Sequence, residues 1–121
     1  MYEVKVKSKF SSAHNLRQYK GKCEELHGHN WHVELVLYAE ELNSTGMVID
    51  FKDLKNMLNE VLAELDHKHL NELEWFKKVN PTSENIARYI HDKMLNVGSE
   101  LKIKKVTVWE TDSSAATYIA D

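Results

Sequence analysis

From Tyr2 to Phe10 the chain alternates with period two: Tyr2, Val4, Val6 and Phe10 on one parity, Glu3, Lys5, Lys7 and Lys9 on the other. A strand with one face in a core and one in water reads this way. A second alternation, Trp31, Val33, Leu35 and Leu37 against His32 and Glu34, predicts another strand ending near Tyr38, with 43–46 as the loop that follows. A polar loop of about a dozen residues separates the two. The spacing then changes to that of a helix: Phe51, Leu54, Leu58, Val61, Leu62 and Leu65 recur behind Asp50, a good N-cap, and predict a helix over 51–65. Pro81-Thr82-Ser83-Glu84 opens a second helix carrying Ile86, Ile90, Met94 and Val97, which ends at Gly98. Two further strands are expected over 101–110 and 115–120, joined by the polar turn 111–114. The apolar parity shifts between Ile103 and Val106, which predicts a bulge or a later strand start.

The order ββααββ in 121 residues predicts one α+β domain over 1–121, a four-stranded antiparallel sheet with two helices on one face. Such a sheet keeps two unpaired edges, which assembly into a homo-oligomer would close. Sixteen Lys and Arg against nineteen Asp and Glu leave a charge of -3, so there is no global positive field for a phosphate backbone and no nucleic acid is expected as partner. No run of apolar residues approaches the length of a membrane helix, and the first residues lack the apolar stretch of a signal peptide. No membrane partner and a cytoplasmic location are therefore expected. The single cysteine, Cys23, cannot form an intrachain disulfide, which suits a reducing compartment.

Seven histidines are the chemical signal. His27-Gly28-His29 puts two imidazoles on one face of a strand, although about 0.4 such pairs arise by chance at this histidine content, and His67-Lys68-His69 is another. Parity adds context. His14 continues the apolar parity of the first strand, and His27 and His29 share that of Trp31 and Val33. If the strands pair, the three rings meet at one end of one sheet face, a donor set suited to a catalytic zinc. Strand-end histidines bonded to backbone or water satisfy the same spacing.

Cys23 lies in a polar loop leading into His27, where a thiol is either inert packing or a thiolate favoured by a nearby metal. Asp66-His67 follows the first helix and can pair as carboxylate and imidazole for proton transfer, or merely suit a helix end. Glu110 shares the inward parity of Val106 and Val108 and needs a cation or a ligand with N–H donors.

Together these segments resemble the 6-pyruvoyl-tetrahydropterin synthase family, and most closely its 6-carboxy-5,6,7,8-tetrahydropterin synthase branch. The resemblance runs from Phe10 to Tyr118. It is carried by Phe10-Ser11-Ser12-Ala13-His14, Cys23-Glu24-Glu25-Leu26-His27-Gly28-His29 and Gly46-Met47-Val48-Ile49-Asp50-Phe51. Leu65-Asp66-His67, Leu70-Asn71, Asn80-Pro81-Thr82-Ser83-Glu84 and Glu110-Thr111 extend it.

The resemblance implies a tunnelling fold, in which three subunits close their sheets into a barrel and two trimers stack into a hexamer with sites at subunit interfaces. It implies one Zn2+ per subunit on His14, His27 and His29, Cys23 as catalytic base, Asp66 and His67 as assisting dyad, and Glu110 as the acid that anchors the pterin. Thr82, Ser83 and Glu84 would line the pterin pocket; Asp50 stays a helix cap, and His32, His69 and His91 take no role. The implied substrate is 7,8-dihydroneopterin triphosphate, and Arg17, Lys20, Lys22 and Lys68 are candidates for its triphosphate by position. Three residues between Cys23 and His27 match the carboxy branch, whose products are 6-carboxytetrahydropterin, acetaldehyde and triphosphate on the way to queuosine. The pyruvoyl branch releases triphosphate alone. A non-catalytic metal-binding module explains the histidines but gives Cys23, the dyad and Glu110 no reason to accompany them.

Overall fold

In the computed structural model, which describes residues 1–22 and 24–121, β1 (Tyr2–His14) pairs antiparallel with β2 (His27–Ala39). After the helices α1 (Phe51–Leu62) and α2 (Ser83–Val97), β3 (Ile103–Thr111) returns beside β2 and β4 (Ser114–Tyr118) beside β3. The sheet order is β1-β2-β3-β4, as the ββααββ reading requires. Val6, Phe10, Trp31, Val33, Leu35, Val106 and Val108 of the sheet bury themselves with Leu54, Leu58 and Val61 of α1 and Ile86, Ile90 and Met94 of α2. Both helices therefore cover one face. The other carries Lys5, Lys7, Lys9 and His32 to water. The parity shift is a bulge: Val36 faces Lys105 and Leu37 faces Ile103, so Lys104 has no opposite number.

Caps fall where the residue types put them. Asp50 Oδ1 accepts from Lys52 N–H at 2.7 Å, and Thr82 Oγ1 from Asn85 N–H at 3.1 Å. α1 stops at Leu62, short of the expected 65, because β1 captures the chain there. Ser12 Oγ donates to the Leu65 carbonyl, His67 N–H donates to Ser11 O at 2.6 Å, and His67 takes a left-handed φ of 54°. Two short 3-10 helices, Leu70–Glu72 and Glu74–Phe76, were not signalled by any periodicity. The first two strands also run past their alternating apolar residues, to His14 and from His27, so their polar ends remain paired. No described helix is long and apolar enough to cross a membrane.

Candidate metal centre

Register builds the site. His14 ends β1 directly opposite His27, which starts β2; His29 is opposite Ser12, and Glu110 follows Trp109, the partner of His32. Inward parity aims all four side chains at one point, above Trp31, whose indole N–H donates to Ser12 O at 3.1 Å and whose ring meets those of His14 and His29 edge to face at 4.8 and 5.2 Å. His14 Nε2 lies 3.1 Å from His27 Nε2 and 3.2 Å from Glu110 Oε1, and His29 Nε2 lies 3.1 Å from the same oxygen. All four donor atoms are within 4.8 Å of one another.

The hydrogen bonds decide which nitrogens are free. His14 Nδ1 contacts Pro81 O at 2.7 Å and His27 Nδ1 contacts Glu25 O at 2.9 Å. A carbonyl only accepts, so each Nδ1 carries its proton and each Nε2 in the neutral ring presents a lone pair. Burial pushes the pKa of His14 down, outweighing the raising pull of the Pro81 carbonyl and of Glu110. Two bare lone pairs thus face each other at 3.1 Å, and His29 Nε2, although close to Glu110 Oε1, is buried without an aligned hydrogen bond among the described residues. A cation resolves both. Tetrahedral coordination with bonds of about 2.0–2.2 Å puts neighbouring donors about 3.3–3.6 Å apart, close to the separations here. The group formed by His14, His27, His29 and Glu110 can hold a metal ion.

The remaining expected residues fall into three positions. Cys23 lies outside the described residues. Asp66 and His67 do pair, Oδ2 to Nδ1 at 2.9 Å, and Asp66 Oδ1 accepts from Ser11 N–H at 2.9 Å, which is the main cause holding this carboxyl below its ordinary value. The pair sits on the outer edge of β1 with the His67 side chain 83% exposed, and among the described residues no hydrogen bond or ion pair joins it to the cluster. Thr82, Ser83 and Glu84 form the start of α2, immediately after the Pro81 carbonyl that holds His14. Glu84 is exposed and makes no ion pair among the described residues.

Among the cation candidates, Arg17 is committed elsewhere: its guanidinium donates to the carbonyls of Phe76, Asn71 and Val79. Lys20 lies over the Tyr19 ring. His69 bonds Asn15 and His91 bonds Asp92, while His32 lines a cleft with Lys7 and Trp109 on the helix-free face. The orienting carbonyls of Pro81 and Glu25 had no sequence signal, because a main-chain acceptor exists at every residue. The place of Glu110 beside His29 was available from its parity with Val108.

The chain matches the 6-pyruvoyl tetrahydropterin synthase family over residues 3–121. It is 39% identical over 116 residues to the 6-pyruvoyl tetrahydrobiopterin synthase of Homo sapiens, covering 92% of this chain and 79% of that protein. It is 30% identical over 140 residues to the 6-carboxy-5,6,7,8-tetrahydropterin synthase of Haemophilus influenzae, covering 98% and 99%. The solved structure of Caenorhabditis elegans 6-pyruvoyl tetrahydropterin synthase superposes with a TM-score of 0.87 at 31% identity, covering 99% of this chain and 96% of that one. A four-stranded sheet backed by two helices, with matching extent in both sequence and structure, makes this chain a member of the 6-pyruvoyl tetrahydropterin synthase family.

Proposed function

We propose that the chain is a zinc-dependent lyase converting 7,8-dihydroneopterin triphosphate and water to 6-carboxy-5,6,7,8-tetrahydropterin, acetaldehyde and triphosphate. The observation that carries the metal-dependent part is the pair of unprotonated Nε2 atoms facing each other beside Glu110. Three imidazoles and a carboxylate are donors suited to zinc. The carboxy outcome is supported by the three residues between Cys23 and His27 and by the Haemophilus influenzae relative. The human relative, 39% identical against 30% for the Haemophilus influenzae one, favours the pyruvoyl reaction as second reading.

In this reading His14, His27 and His29 hold the ion. When bound, zinc lends Lewis acidity to the substrate's side-chain oxygens and makes the adjoining C–H protons easier to remove. Cys23 as thiolate takes such a proton. Asp66 holds His67 Nδ1–H, leaving Nε2 to exchange a proton with a side-chain oxygen. Because the dyad faces outward from the edge strand, we propose that it serves the cluster of a neighbouring copy in a homo-oligomer, a dimer of trimers. The open edges of β1 and β4 support that assembly.

The amine and N–H edge of the pterin requires a carboxylate. Glu110 takes that role, with Thr82, Ser83 and Glu84 lining the pocket, once its carboxylate turns from His14 and His29 toward the ring. Product analysis on the zinc-loaded protein tests the reading: triphosphate, acetaldehyde and a 6-carboxy pterin are expected, and Cys23→Ala should form none of them while keeping its zinc. A product retaining all three side-chain carbons assigns the pyruvoyl reaction. Bound zinc with no triphosphate released leaves the non-catalytic metal module.

A further inference from the structure

Two asparagines stitch the segment after His14 to the loop before α2. Asn71 Oδ1 accepts from Asn15 N–H at 3.0 Å, and its Nδ2 donates to Asn15 O at 2.7 Å. Two residues on, Asn80 repeats the pattern: its Oδ1 accepts from Arg17 N–H at 2.8 Å and its Nδ2 donates to Arg17 O at 3.2 Å. Alternate residues of a segment outside any strand are thereby paired as a neighbouring strand would pair them.

Arg17 closes the stitch from the other side. Its Nη2 donates to Phe76 O at 2.6 Å and to Asn71 O at 3.2 Å, and its Nη1 to Val79 O at 3.3 Å. These carbonyls lie in and just beyond the two 3-10 helices. Asn85 Nδ2 ties Asn80 O to α2 at 2.9 Å. The next residue is Pro81, whose carbonyl accepts the His14 Nδ1 proton. The main chain leaving His14 and the carbonyl gripping its ring are thus held by one set of bonds.

We propose that Arg17, Asn71 and Asn80 are positioning residues that set the tautomer and aim of His14 toward a metal ion, an inference that rests on the metal reading above. A carbonyl held 2.7 Å from Nδ1 keeps the proton there and the lone pair on Nε2, and the side chains of Asn80 and Asn85 hold the loop that supplies it in place ahead of α2.

The test compares Asn80→Ala, Arg17→Lys and Asn71→Ala with Asn59→Ala, which breaks the Ser8–Asn59 hydrogen bond between β1 and α1 and touches none of the cluster residues. Zinc affinity is read by chelator competition, geometry by the visible spectrum of the Co2+-loaded protein, and the His14 tautomer by imidazole 15N NMR of the metal-free protein. Asn80→Ala and Arg17→Lys should lose about 10–100-fold in zinc affinity, alter the Co2+ bands and raise the Nε2–H tautomer, with Asn59→Ala unchanged in all three. If Asn80→Ala does not fold, Arg17→Lys and Asn71→Ala decide by the same readouts. Wild-type zinc binding with folded variants that match it in affinity, spectrum and tautomer overturns this inference alone. A wild-type chain that takes up no metal overturns the metal reading and this inference together.

Discussion

The histidine cluster and the Asp66–His67 pair put imidazole against carboxylate in opposite settings. In the cluster, His14 is buried and its pKa is lowered by burial, three rings and Glu110 converge, and the donors outnumber the protons available to join them. In the pair, one carboxylate and one ring meet at 2.9 Å on an exposed edge, complete as a couple and aimed away from the sheet's interior. The cluster required long-range register; the pair required only adjacency and the left-handed turn at His67. The metal-ligating cluster is assembled within one chain, whereas the pair lies in the turn after α1, beside the edge strand β1, and on the proposed reading serves a neighbouring copy.

The most direct way to break that contrast is complementation. Chains with His27→Ala and chains with His67→Ala should each be inactive, and co-expression should restore activity in about a quarter of the sites if cluster and dyad come from different copies. No restoration would place both in one chain's site or remove the dyad from the chemistry. Asp66→Asn should cost about 10²-fold or more in turnover with zinc content unchanged, because it removes the charge beside His67 and leaves one acceptor oxygen for the N–H groups of both Ser11 and His67. Equal losses of metal and turnover would show that the dyad acts through the cluster.

Asp66 also carries a smaller signature in stability. Its carboxyl is held below the ordinary value of 3.8, chiefly by Ser11 N–H and further by His67. A carboxyl with a depressed folded pKa stabilises the fold above its unfolded pKa, and that contribution is lost as pH falls through the folded value. The Tm gap between wild type and Asp66→Asn should therefore narrow as pH drops below about 4. A gap that stays constant would mean the Ser11 contact contributes nothing through charge. The smallest effect belongs to His69→Ala, which removes bonds to Asn15 and Glu72 on the same edge and should leave zinc content as it was.

Parity explains what was legible beforehand. Phe10, Ser12 and His14 keep one parity across β1, and His27, His29 and Trp31 keep one across β2, so pairing the strands brings the rings together without further information. The bulge at Lys104 was legible for the same reason, since an extra residue must show as a parity break. The end of α1 was not, because Leu65 continues its apolar spacing and only the Ser11 and Ser12 bonds of β1 turn the chain away. The carbonyl contacts of Arg17 were not legible, because its acceptors on Asn71, Phe76 and Val79 have positions that depend on two 3-10 helices without a periodic signal. The orientation of His14 was hidden likewise, in a proline carbonyl 67 residues away.

On the proposed reading the facing Nε2 atoms of His14 and His27 share a cation. Zinc content per folded chain, measured on wild type and on His27→Ala after dialysis against excess metal and gel filtration, tests it most directly. About one zinc per wild-type chain is expected, with near-complete loss in His27→Ala while the fold is retained. Full zinc occupancy in His27→Ala, or none in the wild type, would contradict it.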